Sequence, residues 1–314
     1  MMPDRITGVL CAGNISYDIL VRPVDRFRWG TSTWVDEYIE DMGGNGSNTS
    51  YALAMLGVPV RLLGMVGPDD RGEYLLNKLR QAGVDASFVG RSAEPTTTTI
   101  CVANSAGDRL FLQRVGSSKE SFSEPTLFTA AMTAGLSHYH QANLYSLPNL
   151  RRNSERQMRN ARRAGLTTSL DTGWATDGKW MEVLEPALAH TDLLFVNEDE
   201  AFELTSERDP DAIVSRLRRH GAGDVAVKLG AKGCVVYKGN ERIAAPAVSV
   251  SAVDTTGAGD CFAAGFLAAL YHGLPCQDAA RVANAAGALA VTQLGAVRGV
   301  MSWVDTLAWM NSAR

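Results

Sequence analysis

The chain has 314 residues, 46% of them hydrophobic and 20% charged, enough to bury a large core as one domain or as one domain with a small appendage. Thirty basic side chains against 34 acidic ones leave a formal charge of −4, so the chain as a whole has no basic footprint for nucleic acid or an anionic membrane. No uninterrupted apolar segment has the length to span a bilayer, and no basic start followed by an apolar run marks a leader; a cytoplasmic protein is expected.

In chain order, residues 8–13 read as an apolar opening strand. A polar and aromatic stretch follows to Met42, and Gly43-Gly44-Asn45-Gly46-Ser47-Asn48 then feeds an alanine-rich helix stopped by Gly57. Residues 60–65 predict a strand, and 72–82 a helix ended by Gly83. Residues 96–103 and 109–113 predict a hairpin turning at Ser105-Ala106-Gly107-Asp108. In the second half, strands over 166–170, 193–196, 225–228 and 233–237 are separated by helical patterns. A strand-like run at 247–253 and helices over 261–271 and 282–291 complete the pattern.

Strands alternating with helices in this way predict an α/β fold with a mainly parallel sheet covered on both faces. Two β-rich segments, about 15–42 and 95–115, break the alternation. They are expected to form a small separate sheet, a lid, on a single domain spanning 1–314.

Two local features carry little chemistry. The five cysteines (Cys11, Cys101, Cys234, Cys261, Cys276) are scattered without paired spacing, as expected of reduced thiols. Arg152, Arg156, Arg159 and Arg163 share a helical stripe, which against the acidic background reads as a solvated helix face.

The strongest chemical signal is Asp254-Thr255-Thr256-Gly257-Ala258-Gly259-Asp260, set just before a helix. Three small residues let the backbone turn tightly and aim the amides of Gly257, Ala258 and Gly259 at one point, where a helix dipole also attracts an anion. Asp260 then stands on the first turn, where a carboxylate can accept a proton from an alcohol beside a held phosphoryl group. A plain capped helix is the alternative for this motif taken alone.

The motif resembles the signature of the ribokinase-like carbohydrate kinases, the pfkB family, and the resemblance covers nearly the whole chain. Gly43-Gly44-x-x-x-Asn48 resembles the family's sugar-binding element. Asn197-Glu198-Asp199-Glu200 resembles its Asn-x-x-Glu element, and Lys228 to Gly233 its nucleotide-edging loop. The implied fold is a three-layer αβα kinase, and the implied reaction moves the γ-phosphate of ATP to a primary hydroxyl of a small sugar. Asp260 is then the base, with Asp18, Gly43, Gly44, Asn48 and Asn143 on the sugar. Asn197, Glu200, Lys228, Gly230, Gly233 and Asn284 are assigned to the nucleotide, Glu200 holding Mg²⁺ through water.

The resemblance also implies a monovalent cation, potassium, at Asp254, the Thr256 carbonyl and the loop 293–299 that includes Gly295. Gly299 stands where a serine is common, and Asn45 where many ribokinases have Lys; potassium and ribose specificity are therefore left open.

Asn197 and Glu200 also fit a helix capping box, and both readings hold together. The run 173–180 lacks the final hydroxyl of a P-loop, ending instead in Trp180, and His138-Tyr139-His140 reads as strand alternation rather than a metal site. A nucleoside kinase on the same scaffold, with Trp29, Trp34, Tyr38 and Phe111 as a base-stacking surface, is the second reading. Those rings equally suit a homodimer through the lid sheets. A catalytically silent homologue is the third reading, set against the filled catalytic positions.

Overall fold

A computed structural model describes residues 1–106 and 108–312 of the chain. The first half contains β1 (Val9–Ala12), β2 (Ser16–Arg22), β3 (Glu37–Gly43), α1 (Asn45–Met55), β4 (Val60–Val66) and α2 (Asp70–Gln81). It continues through β5 (Val89–Arg91), β6 (Thr98–Ala103), β7 (Arg109–Arg114), α3 (Ala130–Thr133), β8 (His138–Gln141) and α4 (Pro148–Arg163). Next come β9 (Thr167–Asp171), α5 (Trp180–Leu188), β10 (Leu193–Asn197), α6 (Glu198–Thr205), α7 (Pro210–Arg219) and β11 (Asp224–Lys228). The chain closes with β12 (Cys234–Lys238), β13 (Glu241–Ala245), α8 (Ala258–Tyr271), α9 (Cys276–Ala290) and α10 (Trp303–Ser312).

Local chemistry explains the boundaries. Asp69 caps α2 by accepting a hydrogen bond from the Gly72 amide at 3.0 Å, and Leu75, Leu76 and Leu79 give the helix its buried stripe. Of the turn expected between β6 and β7, Gly107 lies outside the described residues.

The main sheet has nine strands in the order β13-β12-β11-β10-β9-β8-β1-β4-β5. Pairing is parallel from β5 through β11, but β12 and β13 are antiparallel. The connection over 229–233 is too short for the crossover that a parallel neighbour requires. The strand expected over 247–253 is not formed. That segment begins after Pro246, which has no amide hydrogen to donate, and the chain leaves the edge strand β13 without adding a further ladder. Its end is instead pinned by the Val253 and Asp254 amides, which donate to the Val291 carbonyl at 2.8 and 3.2 Å.

Successive strand residues enter different cores. Val9, Cys11 and Phe195 pack with α1, α8 and α9, whereas Leu10, Ala12, Leu194 and Val196 pack with α4, α5 and α7. The period-2 alternation thus produces a layer of helices on each face. Phe195 lies 5.8 Å from Phe266 and 6.2 Å from Phe262, ring to ring and edge-on, and so ties the middle of the sheet to α8.

A separate four-stranded sheet, β3-β2-β6-β7, comprises the two segments that broke the alternation. Its strands β2 and β6 are parallel, with antiparallel β3 and β7 outside them. All five cysteines are buried and unpaired. Of the arginine stripe on α4, Arg152, Arg156 and Arg163 are exposed and Arg159 pairs with Glu155 of the same helix, while outside the stripe Arg151 meets Asp177 at 2.7 Å and Arg162 meets Asp192 at 3.4 Å. No helix among the described residues is long and apolar enough to cross a membrane.

Phe195→Ala should destabilise the protein by about 3–5 kcal/mol, because the sheet and α8 cannot collapse to fill the lost ring. Urea unfolding measures this, and a shift in midpoint worth less than about 1 kcal/mol would show that the site repacks.

Candidate active site

The parallel strands deliver their carboxyl ends to one edge. Ala12 pairs across to Gln141 and Gln141 to Leu170, while Phe195 pairs with Asp171 and Asn197 with Lys228. Asn143, Asp171, Asn197 and Lys228 therefore stand at or just beyond the same edge. Strand order reverses at β1, with β4 on one side and β8 on the other, and crevices at such switch points hold ligands.

The turn 254–260 faces this edge at the start of α8. Gly257 is the N-cap residue, with φ 74° and no capping side chain, and a Cβ there would lie 2.4 Å from the Ala296 carbonyl oxygen. Only glycine accepts both conditions. Among the described residues the amides of Gly257, Gly259 and Asp260 have no protein acceptor. The Ala258 amide differs from expectation, donating at 3.4 Å to the Thr255 carbonyl. The open donors and the helix dipole make an anion site.

Asp260 is buried on the first turn of α8. Its two oxygens accept hydrogen bonds from the side-chain amides of Asn45 at 2.8 Å and Asn48 at 2.9 Å, both on the first turn of α1. Burial pushes the carboxyl up to about 6, against the pull of the two amides and of Lys228. Asn45 is itself held, its oxygen accepting from Asn143 at 3.1 Å, and Asn143 accepts from the Tyr145 and Ser146 amides at 2.8 and 2.9 Å. Asn143 thus orients Asn45. The side-chain oxygen of Asn48 is buried with no partner among the described residues, an acceptor able to take a ligand hydrogen.

Asp18 reaches the site from β2. Ser16 donates to it at 2.7 Å, and a Cβ at Gly43 would lie 1.8 Å from its Oδ2, which is why this position is bare. Burial raises Asp18 to about 6, with the carboxylates Asp41 and Asp260 adding to the rise. Gly44, at φ 91°, passes the chain from β3 into α1 against the Asn14 carbonyl.

Lys228, at the end of β11, meets Asp171 at 2.9 and 2.8 Å and abuts Gly259, where a Cβ would lie 3.2 Å from its Nζ. Burial works against the lysine charge, but Asp171, Glu200 and Asp260 outweigh it and hold Lys228 protonated. Burial raises Asp171 in turn, against the pull of Lys228.

Asn197 and Glu200 form the complete capping box of α6, and Glu200 Oε2 also accepts from Thr172 at 2.7 Å. Gly230 opens a short turn with free space above its Cα, whereas Gly233 is packed against the Ala245 carbonyl. Asn284, expected near the nucleotide base, donates to the Ala245 and Pro246 carbonyls at 2.9 and 3.0 Å, tying α9 to the end of β13.

The ligands expected for a monovalent cation are differently engaged. Asp254 accepts from the Thr256 and Gly295 amides at 2.9 Å each and pairs with Arg109 of β7 at 2.8 Å. Gly295 thus turns its N–H, not its carbonyl, toward Asp254. The residues do not fit a metal ion on this carboxylate, because a guanidinium already neutralises it. His138 and His140 are buried within the sheet and share the Ser169 hydroxyl at 2.7 Å each, which supports the strand reading.

Asn45, Asp171, Thr172 and Arg109 join this site without a motif in the sequence that assigns them to it. Asn45 lies inside the glycine-rich run, and Asp171 ends a strand one place after the predicted boundary. Nothing local to Arg109 marks its reach.

The model of the pfkB family carbohydrate kinases matches residues 7–302. An ATP-dependent ribose-1-phosphate kinase of Halopiger xanaduensis is 32% identical, covering 92% of this chain and 93% of its own. A fructokinase of Klebsiella pneumoniae is 31% identical, covering 81% and 87% respectively. The structure of Arabidopsis thaliana ribokinase complexed with ribose and ATP superposes with a TM-score of 0.84 at 24% identity, over 97% of this chain and 98% of that one. With the anion turn, the buried carboxylate and the ordered strand ends already in place, these matches complete the assignment: the chain belongs to the pfkB family of carbohydrate kinases.

Proposed function

We propose that the protein transfers the γ-phosphoryl group of ATP to a primary hydroxyl of a small neutral sugar. The observation that carries this reading is the Asp260 carboxylate, buried beside the open amides of an α8 N-terminus. Asn45 and Asn48 fix both oxygens of Asp260, so its proton-accepting lone pairs are aimed before substrate arrives. Asp260 takes the hydroxyl proton, and the amides of Gly257 and Gly259 hold the charge on the transferring group. Lys228, charged and against Gly259, adds a cation to the same place.

Glu200 Oε1 makes no protein hydrogen bond among the described residues, which suits a carboxylate facing a water shell. Magnesium, when bound, supplies neutralisation of phosphate charge, and Glu200 with Asn197 are the residues that would hold its waters. Gly230 borders the nucleotide in this reading, with Gly233 and Asn284 stiffening the wall behind it.

Asp18 and the unpartnered Asn48 oxygen receive the sugar hydroxyls, and the small sheet serves as the lid that excludes water. The neutral-sugar reading is supported by these hydroxyl-matching acceptors; Asp41, which also acts on Asp18, is itself paired with Lys78 and Arg298. Trp29, Trp34, Tyr38 and Phe111 are exposed, which fits a lid-to-lid dimer better than a closed slot for a nucleoside base. The buried, unpaired thiols fit a reducing, cytoplasmic setting.

Asp260→Asn should lower turnover by about 10²–10⁴-fold while nucleotide affinity is kept. Coupled ADP-release assays on ribose, fructose, ribose 1-phosphate, 2-dehydro-3-deoxygluconate and adenosine test substrate and base together. A near-normal rate for the variant removes Asp260 from its role, and preference for an anionic sugar or a nucleoside overturns the neutral-sugar reading.

The pH profile follows from the two raised carboxyls. Asp18 and Asp260 both lie near 6 in the free protein and both act ionised, so activity is present above that value and lost as pH falls through it. The acid limb of kcat/KM should fall with a slope approaching two, and that of kcat with a slope of one, because bound sugar keeps Asp18 ionised. An Asp18→Asn variant should reduce the kcat/KM slope to one. A flat profile between pH 5 and 7 would remove both groups.

A further inference from the structure

Arg109 is the first residue of β7, on the outer strand of the small sheet, yet its guanidinium ends on the anion turn. Nη1 lies 2.8 Å from Asp254 Oδ1 and donates to the Thr256 hydroxyl at 2.6 Å. Nη2 donates to the Thr255 hydroxyl at 2.9 Å. The planar fork thus meets three oxygens of three successive residues, a geometry for which guanidinium is suited and a lysine is not.

Asp254 is only 2% exposed, and its carboxylate also accepts from the Thr256 and Gly295 amides. One buried carboxylate therefore joins the small sheet, the start of the turn and the loop 292–299. Left unpaired, its negative charge would stand at the beginning of a turn whose other end collects an anion.

We infer that Arg109 is the resident cation of the anion turn: it neutralises Asp254 in place of a monovalent metal ion and holds the turn in its binding shape, so that the protein works without potassium. Arg109 is a positioning residue in this account. It touches neither Asp260 nor the expected phosphoryl position, and it acts through residues 254–256. Because β7 pairs with β6 and β6 with β2, the strand that carries Asp18, the same contact couples the sugar-binding sheet to the turn.

The inference rests on the kinase reading for its activity readout, and a melting readout keeps the two separable. Turnover and melting temperature are measured for the wild type, Arg109→Ala and Arg109→Lys. Each is assayed in tetramethylammonium chloride, in potassium chloride, and in tetramethylammonium chloride with millimolar guanidinium. The wild type should be indifferent to the cation. Arg109→Ala should lose about 10- to 100-fold in kcat in tetramethylammonium, the range carried by hydrogen bonds to a charged group, and recover in part with guanidinium or potassium. Arg109→Lys should fall between the two.

Severalfold activation of the wild type by potassium overturns the inference, as does wild-type turnover by Arg109→Ala in tetramethylammonium. A folded Arg109→Ala that loses activity and is rescued by neither cation assigns the residue a merely structural role and also overturns it. If no sugar in the panel is phosphorylated, the kinase reading fails by itself and the melting temperatures decide. A rise with potassium or guanidinium in Arg109→Ala, absent from the wild type, supports the resident cation, and no cation-specific rise refutes it.

Discussion

Keeping a carboxylate charged inside the protein, within reach of a second anion, is the constraint on which the structure depends. A buried ionised group without partners costs several kcal/mol, a large share of the whole folding free energy. Asp260 is maintained by two asparagine amides from α1, by the nearby Lys228 and by the dipole at the start of its own helix. Each support comes from a different element, so α1, α8 and β11 must converge on one point. The sheet order and the glycines at 43 and 257 are the geometric means of that convergence.

Two aspartates bracket the anion turn, and each meets its own cation. Asp254 faces Arg109 from the small sheet, and Asp260 feels Lys228 from the main sheet. Between them the backbone presents donors and carries no side chain larger than a methyl from Gly257 to Gly259. The turn is thus held at both ends by charges drawn from separate sheets, while its middle is left open to bind.

Much of this was legible in the sequence because its cause is local. The hydrophobic period of two along β1 and β10, the capping of α2, and the small residues of 257–259 all write their structure within a few positions. The fold class follows from such signals, and so does the proposal of Asp260 as the base. Asn45 was harder to see, since its partner Asp260 lies 215 residues away. Arg109 and its threonines are separated by 146 and 147 residues, a pairing that periodicity does not encode. The run 247–253 misled for a complementary reason. Apolar alternation describes a surface able to pair, but pairing also needs the chain to run alongside a strand; after Pro246 this run leaves the edge strand β13, and its end is hydrogen-bonded to Val291 instead.

The solitary oxygen of Asn48 bears on how the protein chooses among ligands. Its amide nitrogen faces Asp260, so the carbonyl end is directed the other way and has no donor among the described residues. A pocket wall of that kind discriminates by penalty: a molecule lacking a hydrogen to offer leaves the acceptor desolvated and unmet, which costs more than a missed attraction. Phosphate or carboxylate oxygens carry no such hydrogen at neutral pH, whereas a hydroxyl does. In the proposed reading, a single amide orientation that restrains Asp260 thereby also becomes a filter on the chemistry of what sits beside it.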